Sequence, residues 1–134
     1  MSIKWLTEDE IESAAEAGDK EAFLCCEHHW WQFTKVTLDE YLHSENSEMT
    51  ISEMTIYCDH CALCIRYRRK DDGMWVCGCG PCKLDCVEIW DQVDLAVLNK
   101  DSDLWLKATK AMHRHIVKKI HELYPDLTIP KHKD

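Results

Sequence analysis

Seven of the nine cysteines in this 134-residue chain fall between positions 58 and 86: Cys58, Cys61, Cys64, Cys77, Cys79, Cys82 and Cys86, with His60 among them. An odd total excludes complete intramolecular pairing. The start of the chain, Met1-Ser2-Ile3-Lys4-Trp5-Leu6-Thr7-Glu8, turns acidic at once and lacks the apolar run of a secretion signal. No apolar run approaches the roughly 18–20 residues of a membrane span. The expectation is a cytoplasmic protein with no membrane association, in which clustered thiols hold metal rather than form disulfides.

The strongest ligand subset is two Cys-x-x-Cys pairs, Cys61-Ala62-Leu63-Cys64 and Cys79-Gly80-Pro81-Cys82, separated by 14 residues. In each pair a short turn lets both thiolates face one ion, and Gly80-Pro81 suits the tight second turn. Four thiolates make a tetrahedral, closed zinc site with no position open to water or substrate. Such a metal supports folding rather than chemistry, and its binding supplies on the order of 10–16 kcal/mol. The quartet stays open: Cys77 is an alternative to Cys79, and Cys58 or Cys86 to another member. A second ion on Cys58, His60, Cys77 and Cys86 is a further option. An iron–sulfur cluster is the chemical rival, because Cys58-x-x-Cys61-x-x-Cys64 begins like a ferredoxin run. The expected fourth cysteine before proline is absent, with Arg68-Arg69 in that place.

The flanks read as helices. Thr7 and Glu10 form a capping box for a helix to about Ala17, followed by Gly18 as a stop and Asp19 as the next N-cap. From Lys20 to about Val36, Phe23, Cys26, Trp30 and Phe33 recur at helical spacing. Thr37 and Glu40 repeat the capping box before Tyr41 and Leu42, and positions 43–53 read as a polar linker or loop. Met54 to Cys58 alternates like a short strand. Ile65 to Arg69 and Met74 to Cys77 are expected hairpin strands around an Asp72-Gly73 turn. Val87, Ile89, Trp90, Val93 and Val97 predict a helix ending near Asn99. Ser102 then caps a long last helix, Asp103 to Tyr124, stopped by Pro125, with Trp105, Ala108, Met112, Ile116 and Leu123 as its apolar face.

The expected class is therefore mainly α with a small zinc-ribbon-like β-hairpin centre, an α+β fold stabilised by metal. It is a single domain over 1–134, helical over 1–45, cysteine-rich over 54–86 and helical again over 87–125.

Cys25-Cys26-Glu27-His28-His29-Trp30-Trp31 is a second Cys/His group. On a helix Cys25 and His29 are i,i+4 neighbours, and Cys26 and His29 are i,i+3 neighbours. Cys26 falls within the apolar stripe, which favours a buried structural role; metal ligation and a thiolate–imidazole dyad are the alternatives. His113 and His115 stand about 200° apart on a helix and cannot share an ion without unwinding it.

Charge is segregated. The net charge is −9, made of −11 over residues 1–60, −2 over 61–106 and +4 over 107–134. The acidic first half disfavours nucleic-acid binding by the whole surface. Two basic islands remain as a candidate interaction surface. One is Arg66, Arg68, Arg69 and Lys70; the other is Lys107, Lys110, Arg114 and Lys118, with His121, on one face of the last helix. The competing reading of each island is a solvated face.

The order Cys25-Cys26-Glu27-His28-His29-Trp30, then Cys61-Ala62-Leu63-Cys64, then Cys77-Gly78-Cys79-Gly80-Pro81-Cys82 and Cys86, then a helix bearing Trp90, resembles the small cysteine-rich proteins that recur in bacteriophage genomes. The resemblance covers roughly residues 19–125 and rests mainly on cysteine spacing. It implies a phage protein acting in the host cytoplasm, and it implies no activity.

The expected function is a small, non-catalytic zinc protein that binds and modulates or inhibits a host protein. The alternatives are a nucleic-acid-binding zinc protein and a metal-dependent nuclease using His28, His29 or His60. Asp59-His60 resembles the start of a His-Asn-His nuclease motif, but no downstream Asn/His pair completes it.

Overall fold

The computed structural model describes residues 5–43, 62–67, 69–71, 74–76 and 86–132. Among them the elements run α1 (Glu8–Ala17), α2 (Asp19–Thr34), α3 (Leu38–Leu42), α4 (Ala62–Tyr67), β1 (Arg69–Asp71), β2 (Met74–Val76), α5 (Val87–Leu98) and α6 (Ser102–Leu123). None of these helices is long and apolar enough to cross a membrane.

Local sequence chemistry sets the helix starts. Thr7 accepts from the Glu10 N–H at 3.1 Å while the Glu10 carboxylate accepts from the Thr7 N–H at 3.1 Å. Thr37 and Glu40 repeat this reciprocal pair at 3.0 and 3.1 Å. Each box satisfies two backbone donors that the first turn leaves without helical partners. Gly18 joins α1 to α2 with φ 153°, a region that an L side chain adopts only with strain, and a Cβ there would meet the Glu21 carboxylate at 2.7 Å. Asp19 is therefore the first residue of α2 rather than its cap. Asp101, not Ser102, caps α6, accepting from the Leu104 N–H at 3.1 Å.

The core is apolar and helical. Helix α2 packs on α1, α4 and α6, and α6 also carries α5 and α3. Phe23, Cys26, Trp30 and Phe33 are all buried, as their spacing predicts. Phe33 is the hub of an aromatic cluster, with ring centroids 4.9 Å from Trp30, 5.6 Å from Tyr41 and 6.1 Å from Trp105. Trp105 is fully buried and its indole N–H donates to the Val36 carbonyl at 3.1 Å. That bond lets a large polar ring lie inside without an unsatisfied donor. On α6, Trp105, Ala108, Met112 and Ile116 are buried as expected. Ile120 takes the last core position, and Leu123 is 37% exposed.

The expected class is corrected. The described chain is a helical fold in which a zinc-ribbon-like, metal-stabilised centre is not seen. Among the described residues, no group of three or more His, Cys, Asp or Glu side chains is arranged to hold a metal ion. The expected strand from Ile65 to Arg69 is mostly helix α4. The physical reason is burial: Ala62 and Leu63 are fully buried, and α4 packs on α1 and α2. β1 and β2 pair antiparallel over three residues each, Arg69 opposite Val76, too short to form a layer of the fold. The expected strand from Met54 to Cys58, the 43–53 loop beyond His43, and the Asp72-Gly73 turn lie outside the described residues.

Candidate functional site

Of the expected metal ligands, Cys58, His60, Cys61, Cys77, Cys79 and Cys82 lie outside the described residues. Cys64 belongs to α4, and Cys86 is a half-buried thiol directly before α5.

The second Cys/His group is resolved into separate roles. Cys26 is completely buried in the core stripe. Burial, reinforced by the negative charge of Glu10, pushes the Cys25 thiol up to about 11. A thiol so shifted is protonated near neutral pH, which speaks against a thiolate–imidazole pair at Cys25. His29 is fully buried, stacked on Phe33 at 4.7 Å and edge-on to Trp5 at 6.1 Å. Its ring belongs to the aromatic cluster.

The basic islands differ. Arg66 is engaged internally: Nε donates to Asp19 Oδ1 at 2.6 Å and a terminal N–H donates to the Ala15 carbonyl at 2.8 Å. The Tyr67 hydroxyl donates to the same Asp19 oxygen. This arginine fastens α4 to the α1–α2 junction. Arg68 lies outside the described residues, and Arg69 and Lys70 are on β1. The second island is an outward face: Lys107, Lys110, Arg114, Lys118 and His121 are all exposed on α6. The opposite side of the helix is anchored by Trp105, Ala108, Met112, Ile116 and Ile120. An open groove on this face is lined by His113, Arg114, Val117, Lys118, His121 and Glu122. The array is rigid and cationic on a chain of net charge −9.

A third constellation was not anticipated from the sequence. Glu27 on α2 is 2% exposed and accepts from two imidazoles. His113 Nε2 donates to Oε2 at 2.7 Å, and His132 Nε2 donates to Oε1 at 2.5 Å. Burial pushes the Glu27 carboxyl up, but the hydrogen bonds and charges of His113 and His132 together outweigh it and hold the group below its ordinary range. The His28 ring lies parallel to that of His132, with centroids 4.0 Å apart, and Trp31 is 5.1 Å from His132. The available signal was Glu27 itself. It falls four residues after Phe23 and three before Trp30, beside the apolar stripe, where a carboxylate needs a partner.

No protein-family model, curated protein or solved structure matches the chain.

Proposed function

We propose that this chain is a small, non-catalytic, phage-type interaction protein that presents the basic face of α6 to an acidic surface of a host protein, modulating or inhibiting it. The observation that carries this reading is the outward row Lys107, Lys110, Arg114 and Lys118, fixed on a helix whose other side is locked into the core. Side chains held on a rigid element lose less freedom on binding than those on a loop. Like-signed charges in a row steer a partner of opposite sign and favour protein over the uniformly anionic backbone that the acidic remainder repels. A structural zinc on Cys61, Cys64, Cys79 and Cys82 completes the proposal. Its donor set is closed, which leaves no position on the ion to activate water.

The test is capture of proteins from a nuclease-treated bacterial lysate on the immobilised chain. A host protein should bind saturably and leave as salt is raised past a Debye length of about 3 Å at 1 M. Retention seen only from a parallel untreated lysate would instead assign the face to nucleic acid. Cleavage of plasmid DNA in Mg²⁺ or Mn²⁺ would replace the proposal with the nuclease reading.

A further inference from the structure

Beyond the basic face, the buried carboxylate and its imidazoles point to a conformational device. After α6 ends, the chain turns back over α1 and α2. Tyr124 packs edge-on against Phe23 at 5.9 Å, and Leu127 and Ile129 lie against the core. Pro130 and His132 then wall a groove of about 360 Å³ whose other sides are Leu6, Glu10, Ala14, Leu24, Cys25 and His28. At its end, His132 inserts between His28 and the Glu27 carboxylate.

We propose that Glu27, His113 and His132, with His28 stacked on His132, form a proton-operated latch holding residues 125–132 against α2. The two imidazoles on Glu27 have different tethers. His113 is on α6, fixed by its buried neighbours Met112 and Ile116, while His132 is on a segment without helix or strand. When the segment leaves, His113 still satisfies one oxygen of the buried carboxylate. The fold therefore tolerates release without an uncompensated charge.

The direction of the pH response follows from the groups around the latch. These are Glu10 from α1, Cys25, Glu27 and His28 from α2, His113 from α6, and His132 from the segment itself. Docking holds His28 below its ordinary 6.5, first because burial disfavours imidazolium and second because His132 repels it; Glu27 and Glu10 oppose this without overcoming it. A base lowered by docking takes its proton more readily when the segment is off. Through the stacked His28, docking is thus favoured above pH 6.5 and weakened as pH falls below it, while the attraction of the Glu27 carboxylate for His113 and His132 works in the opposite sense until Glu27 is itself protonated. Glu27, held below its ordinary 4.5, adds a second loss at still lower pH.

The test is side-chain NMR of the full chain, followed from about pH 8 to about pH 5, across the ordinary histidine value. At the upper end, the His132 ring should show nuclear Overhauser contacts to His28 and Trp31 and the upfield shifts of a stacked ring. On acidification these contacts should be lost while the Trp105 indole N–H signal stays in place. His28→Phe keeps a stacking ring without a charge and should carry the loss to lower pH. His132→Ala should free the segment throughout the range, again with the Trp105 signal unmoved. Contacts that persist unchanged to the acid end, or an identical midpoint in His28→Phe, would overturn the latch.

Discussion

Glu27 and His132 are 105 positions apart in sequence, yet their side chains meet at 2.5 Å. The contact fixes the last described residue of the chain onto the middle of α2. It does so at a carboxylate whose other oxygen is bonded to His113 at 2.7 Å. A single acidic side chain thereby joins α2, α6 and the C-terminal segment.

Glu27→Ala removes the acceptor from both imidazoles. The expected cost is about 1–3 kcal/mol, the range for leaving buried polar partners unsatisfied. Urea unfolding at neutral pH measures it. Because the native carboxyl is held below 4.5, it contributes stability that is present above that value and lost as pH falls through its folded value. The variant should therefore show a shallower acid limb than the native chain. An unchanged limb would separate Glu27 from acid stability.

Trp105 carries both packing and a hydrogen bond. Trp105→Phe keeps most of the ring but leaves the Val36 carbonyl without its 3.1 Å donor. A loss of about 1–3 kcal/mol is expected. Trp105→Ala opens a cavity beside Tyr41, whose ring centroid is 4.5 Å away. About 3–5 kcal/mol is expected there. Thermal and urea melts distinguish the two, and equal losses would assign the whole effect to the hydrogen bond.

Cys25 should be slow toward alkylating reagents. With its thiol raised to about 11, little thiolate exists near neutral pH. Peptide mapping after timed iodoacetamide treatment should find Cys25 labelled later than an unfolded control, with the rate rising toward alkaline pH. Rapid labelling at neutral pH would restore an activated-thiol role.

The helices were legible because their signals are local. Two capping boxes, the Gly18 stop and the 3.6-residue recurrence of Phe23, Cys26, Trp30 and Phe33 need no knowledge of distant residues. Lys107, Lys110, Arg114 and Lys118 recur at helical spacing, and all four are exposed on α6. Two features were not legible. Ala62 and Leu63 sit between cysteines, and their burial against α1 and α2 is a tertiary preference that overrode the hairpin strand expected from Ile65 beside the Asp72-Gly73 turn signal. The latch depends on a contact between α2 and a segment beyond Pro125, and no spacing rule links residues so far apart. The shift of the apolar face from Leu123 to Ile120 is a smaller case, decided by where the chain leaves the helix.

Zinc on the two Cys-x-x-Cys pairs should be separable from the helical core. Elemental analysis of native protein is expected to give zinc without the visible bands of an iron–sulfur cluster. Chelation should remove it while most of the helical circular dichroism remains, because α1, α2, α5 and α6 supply most of the buried apolar core, to which α4 adds Ala62 and Leu63. Collapse of the helical signal on chelation would make the metal the organiser of the whole fold.

The outward face of α6 is tested most directly by reversing it. A chain carrying Lys107→Glu, Lys110→Glu, Arg114→Glu and Lys118→Glu leaves the core untouched, since all four positions are exposed. Its stability should stay within about 0.5 kcal/mol per site of the native value, the usual range for surface changes. Titrated side by side against a host protein captured by the native chain, it should bind at least about tenfold more weakly, equivalent to about 1.4 kcal/mol. Equal affinity of the native and reversed chains for that protein would contradict the assignment of this face as the interaction surface.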